Sequence, residues 1–450
     1  MDCFNGTIRT EGGWNQKGVR MATFLNRRQF LGRITAGGAL AMAGISAKSQ
    51  AESPGNRVVL GVAGMSRGRS LAETFSRQQN CAVKYVCDTD ANRLDAAVEV
   101  VAAVSDSPPR GVGDLRRMLD DPEVDAVVLA LPVHWHAPAA IMACEAGKHV
   151  YVEKPCCHNP WEGERLVEAA RRHDRVVQMG NQRRSSAVIR EAVQRLHDGD
   201  IGRVYYARSW YANQRGSIGH GREATVPNHL DYELWQGPAP RRPYRDNVIH
   251  YNWHWLWHWG SGELGNNGVH ILDICRWALD VDYPKRVNSA GGRYRFDDDQ
   301  ETPDTHMVSY DFAGGKSISY EGLSCNVPGA GGTSFGATFY GEDGSMTIGS
   351  RDYLIRDSQG DVVEQRDGSI GDDEHASNFL DAIRNEQPDA LHSQIQEGYR
   401  STLLCHLGNI AHRTGHSLRC DGQGHILDAP EAQALWKREY ADGWESILTQ

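Results

Sequence analysis

The feature that most constrains the fold of this chain is a regular alternation of short apolar runs and helical segments between residues 56 and 180. The apolar runs lie at residues 58–62, 82–87, 125–130, 149–153 and 176–179, and segments with helical character separate them. Parallel strands need a crossover connection between them, which is usually a helix. The alternation therefore predicts an α/β domain with a doubly wound parallel sheet over residues 56–180.

The pattern changes after about residue 181. Apolar and polar residues now alternate, with glycine-rich or aspartate-rich breaks, which is typical of an antiparallel sheet with one solvated face. These segments lie near residues 203–213, 287–296, 305–312, 316–323, 335–340 and 344–348, and helical segments near 375–384 and 394–413 follow them. We expect a second α/β domain over residues 181–450, with a large open, mostly antiparallel sheet and C-terminal helices.

The first 51 residues have the pattern of an export leader. Arg27 and Arg28 precede an uncharged stretch at residues 34–47, composed mostly of Ala, Gly, Leu and Met, and small residues that suit a signal peptidase lie near residue 51. The stretch is shorter and richer in glycine than the roughly 20 apolar residues of a membrane span. We interpret residues 1–51 as a twin-arginine signal and expect a periplasmic or secreted protein with no membrane span after signal removal.

Composition argues against several other classes of protein. With 40% hydrophobic and 24% charged residues, the chain is globular rather than disordered or fibrous. Its formal net charge of −10 argues against a nucleic-acid partner, because phosphate binding needs a basic face. The ten cysteines include no Cys-x-x-Cys pair, so they suggest neither a zinc site nor a disulfide framework. We interpret the adjacent Cys156 and Cys157 as packing residues rather than a redox pair.

The first apolar run leads into a turn of small residues that contains Gly64, Ser66, Arg67 and Gly68. Main-chain amides at such a helix N-terminus can hold a pyrophosphate, and glycine allows its close approach. The turn departs from the G-x-G-x-x-G pattern, because Ser66 occupies the second glycine position and Gly68 comes one residue early. Asp88 ends the second run, where an acid binds ribose hydroxyls and repels a 2′-phosphate. The pattern favours NAD over NADP, and an ordinary α/β turn is the alternative.

Two further loops follow the apolar runs at residues 125–130 and 149–153, at the carboxyl ends of parallel strands, where open α/β sheets bind ligands. The first reads Leu-Pro-Val-His-Trp-His at residues 131–136, and the second ends in Glu153-Lys154-Pro155. Together with the glycine turn, these motifs resemble the glucose-fructose oxidoreductase, inositol dehydrogenase and rhizopine catabolism family, Gfo/Idh/MocA. The resemblance covers nearly all of the chain after the leader. Segments 180–184 and 397–401 resemble the secreted twin-arginine branch of the family.

The resemblance implies a Rossmann domain that binds NAD and a second domain whose open sheet covers the nicotinamide and holds a sugar or polyol. In this family the open sheet commonly pairs with a partner subunit, so the resemblance also implies a homo-oligomer. Lys154 would lie beside the nicotinamide and the substrate hydroxyl. A lysine with a lowered pKa can take the hydroxyl proton there while hydride leaves the carbon. The predicted cofactor-binding residues are Gly64, Ser66, Arg67, Gly68, Asp88, Trp135, His136, Glu153, Lys154 and Asn181.

A later motif resembles the Asp-x-Gly-x-His-x-x-Asp pattern of family dehydrogenases. His270 and Asp273 match it, but Asn266 stands where the first aspartate is expected. The spacing of four places residues 266 and 270 on one helical face. An amide can orient a hydroxyl but cannot accept a proton. We therefore assign proton transfer to Lys154 and His270, and substrate contact to Asn266, His270 and Asp273.

Residues 252–259 contain four tryptophans and two histidines. Tryptophan faces stack on sugar rings and histidines bond hydroxyls, although packing and subunit interfaces also favour tryptophan. His254 and His258 have the spacing of two metal ligands, but no third ligand is at hand, so no metal is expected. The remaining predicted substrate-binding residues are Arg183, Tyr211, Tyr244 and His254.

Three functions fit these observations. The first is dehydrogenation of a sugar, sugar acid or cyclitol by NAD. The second is a redox-neutral glycoside hydrolysis, in which oxidation, elimination, hydration and reduction follow one another on bound NAD. The replacement of the expected aspartate at residue 266 and the predicted export both favour this second reading. The third is a sugar-binding protein without turnover, against which the retained Lys154 and His270 argue.

Overall fold

The computed structural model of the protein describes residues 56–328 and 332–449. The predicted twin-arginine signal at residues 1–51 lies outside these described residues.

Six parallel strands form the first sheet. They are β1 (Val58–Ala63), β2 (Cys81–Cys87), β3 (Arg110–Val112), β4 (Ala126–Leu129), β5 (His149–Val152) and β6 (Val177–Met179), in the spatial order β3-β2-β1-β4-β5-β6. The helices between them are α1 (Arg67–Ser76), α2 (Ala91–Ala102), α3 (Arg116–Leu119), α4 (Val133–Glu145) and α5 (Pro160–Arg172). The predicted doubly wound parallel sheet is confirmed. The strand order reverses between β1 and β4, and open α/β sheets bind ligands at such a switch point.

Burial on both faces explains why the inner strands of this sheet are apolar throughout. All four side chains of β4 are buried, and so are five of the six in β1. By contrast, β3 is a three-residue edge strand in which Arg110 and Gly111 are exposed. The sequence has no apolar run there, so β3 is not predicted.

Nine strands form the second sheet, and the expectation of a large, mostly antiparallel sheet is confirmed. They are β7 (Tyr206–Ala212), β8 (Arg286–Gly292), β9 (Thr305–Asp311), β10 (Ser317–Leu323), β11 (Phe335–Tyr340), β12 (Gly344–Ile348), β13 (Asp352–Asp357), β14 (Val362–Asp367) and β15 (Leu418–Arg419). Their order is β14-β13-β12-β11-β7-β10-β9-β8-β15. Within this sheet β7 and β10 pair in parallel, and the other recorded pairs are antiparallel.

Seven α-helices accompany the second sheet in the described part of the chain. They are α6 (Ala187–Asp198), α7 (Tyr232–Gln236), α8 (Val269–Leu279), α9 (Asp372–Arg384), α10 (Ile395–Thr414), α11 (Pro430–Gln433) and α12 (Trp444–Ile447). A π-helical turn at Leu264–Gly268 runs directly into α8. Helix α10 packs against α5, α8 and β8. Among the described residues, no helix combines the length and apolar character needed to cross a membrane.

One of the hydrophobic clusters joins elements of both sheets. It contains Val127 and Val152 of the first sheet together with Val287 and Tyr310 of the second. The described residues accordingly form one compact unit. The domain boundary at residues 180/181 stays a prediction.

The segment 213–261 contains little regular structure and lies against the carboxyl edge of the first sheet. The main-chain N–H of Ala91 donates to the oxygen of His229 at 2.8 Å, and that of Asp231 donates to Thr89 at 2.9 Å. These bonds hold the segment over the ends of the parallel strands. Residues from both halves of the chain can therefore reach one cavity.

Candidate active site

A cavity of about 640 Å³ opens at the carboxyl edge of the parallel sheet. The structure brings thirteen of the predicted site residues to its walls, although the first and last of them lie more than 200 positions apart. These residues are Gly64, Ser66, Arg67, Asp88, Trp135, His136, Glu153, Lys154, Arg183, Tyr211, His254, Asn266 and His270.

The glycine turn after β1 allows close approach to the main chain. Gly64 has a φ of +89°, and a Cβ there would lie 2.3 Å from the main-chain oxygen of Ala130. Only glycine fits such a position without strain. Gly68 does not line the cavity; a Cβ on it would lie 3.4 Å from the side chain of Ala130. Gly68 therefore allows close packing of α1 on the sheet, and its cofactor contact stays a prediction.

Asp88 lies at the end of β2 with its carboxylate held by the main chain. Its two oxygens accept hydrogen bonds from the N–H groups of Met65 (2.7 Å) and Asp90 (2.9 Å). Burial raises the pKa of Asp88 despite these bonds. Arg93 also lines this end of the cavity and donates to Ser66 Oγ at 2.6 Å. The carboxylate is thus oriented before any ribose hydroxyl arrives.

Two aromatic residues of α4 connect the loops around the nucleotide end. Trp135 donates from Nε1 to the main-chain oxygen of Trp235 at 2.9 Å. The ring nitrogens of His136 lie 2.7 and 2.6 Å from the main-chain oxygens of Pro155 and Leu131. The α4 start therefore fixes the position of the Glu-Lys-Pro loop that follows β5.

Lys154 projects from the end of β5 into the cavity. Its Nζ donates to the main-chain oxygen of Asn266 at 2.6 Å and lies 3.2 Å from the side-chain Oδ1 of the same residue. Burial lowers the pKa of Lys154, with further lowering from Arg67 and Arg183 and opposition from Glu153. The amine therefore loses its proton more easily than an ordinary lysine.

His270 begins α8 and faces the same cavity. Its ring is 8% exposed and its Nδ1 has no hydrogen-bond partner. Burial, followed by the charge of Lys154, holds the pKa of His270 well below its usual range. The imidazole is therefore neutral near pH 7 and able to accept a proton or hydrogen bond.

Glu263 and Arg215 lie beside this pair, and the sequence reasoning missed both. Arg215 lines the cavity and its Nε donates to Glu263 at 2.7 Å, while the amides of Asn266 and Asn267 also donate to Glu263. Glu263 is 4% exposed. The only sequence signal for Glu263 as a site residue is its position three residues before Asn266. Nothing in the sequence links Glu263 to Arg215, which lies 48 positions away.

Arg183 brings a positive charge that no carboxylate neutralises by an ion pair in the described structure. Its guanidinium lies 4.1 Å from the ring centroid of Phe335, and its buried Nε has no hydrogen-bond partner. Burial lowers the pKa of Arg183 to about 10. The group keeps its charge at neutral pH and is free to bind a polar substrate group.

Asp273 is the clearest correction to the predicted substrate set. It does not line the cavity; its carboxylate accepts from Arg184 at 2.8 and 3.0 Å and from Ser401 Oγ at 2.6 Å. Asp273 is 1% exposed. The helical turn that brings His270 to the cavity directs Asp273 into the interior, where it is a structural ion-pair partner.

Two other predicted residues also lie outside the cavity wall. Tyr244 packs edge-on against Tyr232, with ring centroids 5.4 Å apart, in a small apolar cluster. Asn181 is 1% exposed, and neither polar atom of its side chain has a partner. The predicted substrate contact of Tyr244 and the predicted cofactor role of Asn181 therefore both stay predictions.

The tryptophan-rich segment serves packing more than ligand binding. Trp259 is 2% exposed and packs against Trp235 at a centroid distance of 4.9 Å. His254 lines the cavity and stacks on Trp253, and burial lowers the pKa of His254 to about 3. His258 lines a different cavity. Among the described residues, no group of three or more His, Cys, Asp or Glu side chains could hold a metal ion.

These features fit NAD. Gly64 lets the turn after β1 lie close against the main chain of Ala130, Asp88 presents an oriented carboxylate, and Lys154 lines the same cavity. Together they would hold the pyrophosphate, the ribose and the nicotinamide end respectively.

The fold and the cavity define a class of protein: one with a Rossmann domain and a second α/β domain whose residues complete a single cavity. Residues 56–181 match the family described as "Oxidoreductase family, NAD-binding Rossmann fold", and residues 208–446 match "Oxidoreductase family, C-terminal alpha/beta domain". The chain belongs to the Gfo/Idh/MocA family. The predicted family and NAD cofactor are confirmed, whereas its secreted twin-arginine branch stays a prediction.

Individual relatives include enzymes of two kinds. Glycosyl hydrolase family 109 protein 1 of Shewanella sp. (strain ANA-3) is 32% identical over 33% of this chain and 37% of its own length. Levoglucosan dehydrogenase of Pseudarthrobacter phenanthrenivorans is 27% identical over 37% of this chain and 36% of its own length. The chain thus matches little more than a third of the length of these curated relatives.

A solved structure extends the likeness in fold to most of the chain. The WlbA dehydrogenase from Bordetella pertussis, in complex with NADH and UDP-GlcNAcA, has a TM-score of 0.62 at 20% identity. The match covers 81% of this chain and 99% of that one.

Proposed function

We propose that this protein is an NAD-dependent oxidoreductase that acts on a hydroxyl group of a sugar, sugar acid or cyclitol. The observation that carries the proposal is the position of Lys154. Its amine lies at the end of β5 in the cavity that begins at the glycine turn, 2.6 Å from the main-chain oxygen of Asn266 and with a lowered pKa. A basic nitrogen there can take the proton of a substrate hydroxyl.

The residues around Lys154 define the proposed chemistry. When bound, NAD supplies the hydride acceptor. Lys154 takes the hydroxyl proton, and the neutral His270 accepts a hydrogen bond from the same hydroxyl or a neighbouring one. Asn266 orients the amine and the substrate but takes no proton. Arg183 holds a polar group of the substrate through donors that have no ion-pair partner in the described structure.

A second candidate is a redox-neutral glycoside hydrolase. Asn266 replaces the acid expected in family dehydrogenases, and the relative from Shewanella sp. is named a glycosyl hydrolase of family 109. In such a cycle the hydride removed in the first step returns to the product, so no free NADH accumulates. A sugar-binding protein without turnover is the third candidate, and the geometry of Lys154 and His270 argues against it.

We further propose that the chain is exported by the twin-arginine route, that it forms a homo-oligomer, and that nucleic acid is not a partner. Support for export comes from Arg27, Arg28 and the uncharged stretch that follows them. Support for an oligomer comes from large side chains on the second sheet that are partly or largely exposed, such as Trp210 and Met307. The net charge of −10 disfavours nucleic acid.

The test compares Lys154→Ala with Lys285→Ala, an exposed lysine far from the cavity wall. Each protein is assayed for bound NAD, for NADH formation with polyols and sugars, and for release of a chromogenic aglycone. We expect Lys154→Ala to keep NAD and lose turnover, whereas Lys285→Ala behaves as wild type. Turnover that survives in Lys154→Ala would contradict the role of Lys154. Aglycone release without NADH would favour the hydrolase, and stoichiometric NADH would favour the dehydrogenase.

A further inference from the structure

A second cavity, of about 400 Å³, lies on the other side of Ser261 from the active site. Ser261 lines both cavities. The second cavity is bounded by the start of α5, by residues 240–242 and 257–261, by α10 and by the C-terminal segment 435–439. None of the chemistry proposed for Lys154 uses it.

The walls of this cavity are strongly basic in a protein that is acidic overall. Five cationic side chains line it, against the single carboxylate of Glu439; they are Arg241, Arg242, Arg413, Lys437 and Arg438. The whole chain carries a formal net charge of −10. A concave surface with one sign of charge concentrates ligands of the opposite sign.

Two of these cations have no ion-pair partner in the described part of the chain. Ion pairs with glutamates are formed by Arg241, Lys437 and Arg438. Among the described residues, Arg242 and Arg413 form no ion pair. The guanidinium of Arg413 lies over the ring of Trp257, 5.1 Å from its centroid. The rim therefore presents two positive charges that are not neutralised from within the protein.

Two residues that line the cavity, Arg438 and His158, also carry buried polar atoms without a hydrogen-bond partner. Arg438 uses Nη2 to bind Glu162 (2.8 Å) and the main-chain oxygen of His134 (2.7 Å), but its buried Nε and Nη1 have none. His158 Nε2 lies 3.0 Å from the main-chain oxygen of Trp257 and so donates, which leaves the buried Nδ1 as an acceptor without a donor. Unpaired buried donors and acceptors are costly and point to a missing ligand or solvent group.

The combination defines a chemical class of ligand. Guanidinium donors bind a carboxylate or sulfate, an imidazole acceptor binds a hydroxyl, and the half-buried ring of Trp257 adds apolar surface that suits the C–H side of a sugar ring. The volume suits a small ring rather than a polymer of nucleotides.

We propose that this second cavity binds an anionic saccharide, a sugar ring that carries a carboxylate or a sulfate. The site is separate from the reacting ring at Lys154 and does not depend on the redox chemistry proposed above.

Calorimetric titration of the full chain tests the proposal with four probes: glucuronate, glucose 6-sulfate, glucose and sodium sulfate. We expect the two acidic sugars to bind, and glucose and sodium sulfate to bind at least about tenfold more weakly. The double variant Arg242→Gln/Arg413→Gln is expected to weaken the binding of both acidic sugars by about tenfold or more. The control variant is Arg351→Gln, because Arg351 is exposed and forms no ion pair among the described residues, and it should have no effect on binding. Lys154→Ala should leave this binding unchanged.

A second variant tests the contribution of the sugar ring to binding separately from the contribution of its charged group. Trp257→Ala is expected to weaken both acidic sugars but not the residual binding of sodium sulfate. Equal affinity for glucuronate and glucose would overturn the proposal, as would equal affinity for glucose 6-sulfate and sodium sulfate. Acidic-sugar binding that is absent in the wild-type chain, or that the double arginine variant leaves intact, would also overturn it.

Discussion

Replacing the buried aspartate Asp273 by asparagine should destabilise the fold without removing the active site. The carboxylate pairs with Arg184 at 2.8 and 3.0 Å and accepts from Ser401 at 2.6 Å, and the side chains of Asp273 and Arg184 are 2% and 7% exposed. Breaking a buried pair costs about 3–5 kcal/mol, because the remaining charge stays buried. Glu397 lies 3.8 Å from Arg184 and offsets part of this cost. We therefore expect a loss of about 3 kcal/mol.

Urea denaturation measures this loss, and a surface pair provides the control. With a slope of roughly 1–3 kcal/mol per molar urea, the midpoint should fall by about 1 M or more. Asp311→Asn breaks a pair with Arg286 in which the side chains are 38% and 59% exposed, so its midpoint should hardly move. Under mild conditions Asp273→Asn should keep the KM of wild type. An unchanged midpoint together with a raised KM would refute the structural role and restore substrate contact for Asp273.

Three further predictions concern the cofactor and pH. Gly64→Ala should lower both NAD occupancy and the melting temperature. Gly113 lines the same cavity but has nothing within 4 Å of an added Cβ, so Gly113→Ala should change neither quantity. Equal behaviour of the two variants would contradict the argument that the close approach at residue 64 requires glycine. Asp88→Ala should weaken NAD by about tenfold to a hundredfold and NADP by less, as measured by fluorescence titration; equal losses would contradict ribose recognition. Burial lowers the pKa of His375 from 6.5 to about 4, so its stabilisation is complete above pH 6.5 and is lost as the pH falls from 6.5 towards 4. The loss is about 2 kcal/mol at pH 5, and His375→Gln should reduce the fall in urea midpoint between pH 7 and pH 5; an unchanged fall would contradict this assignment.

The parallel sheet could be predicted because its inner strands are buried on both faces. Burial of that kind makes each strand a continuous apolar run, as in β4, and a run of this kind can be recognised without knowing its neighbours. Strand β14 gives no such signal, because most of its side chains are exposed at the edge of the second sheet. The sequence therefore predicts the centre of each sheet better than its edges.

The site could be predicted where one motif supplies several neighbouring groups, and not where pairing joins distant segments. Lys154 and His270 stand out by motif, whereas Glu263 becomes visible only when Arg215 is brought beside it. Asp273 illustrates the reverse case. Its spacing from His270 is compatible with a shared face, but the position of Arg184 decides which way the carboxylate points. Long-range charge pairing is the information that a single sequence lacks.

The bond from Lys154 to the main chain of Asn266 has a consequence for how this site can change over evolution. A main-chain oxygen is present whatever side chain position 266 carries, so the shorter of the two contacts of the amine does not depend on the identity of that residue. Aspartate and asparagine can therefore interchange there while the lysine nitrogen keeps its place. The main-chain bond to the amine therefore stays when the acid–base character of position 266 changes, whereas the bond from the Asn266 amide to Glu263 changes with the side chain. A library limited to position 266 is accordingly a direct route to shifting this scaffold between reaction types.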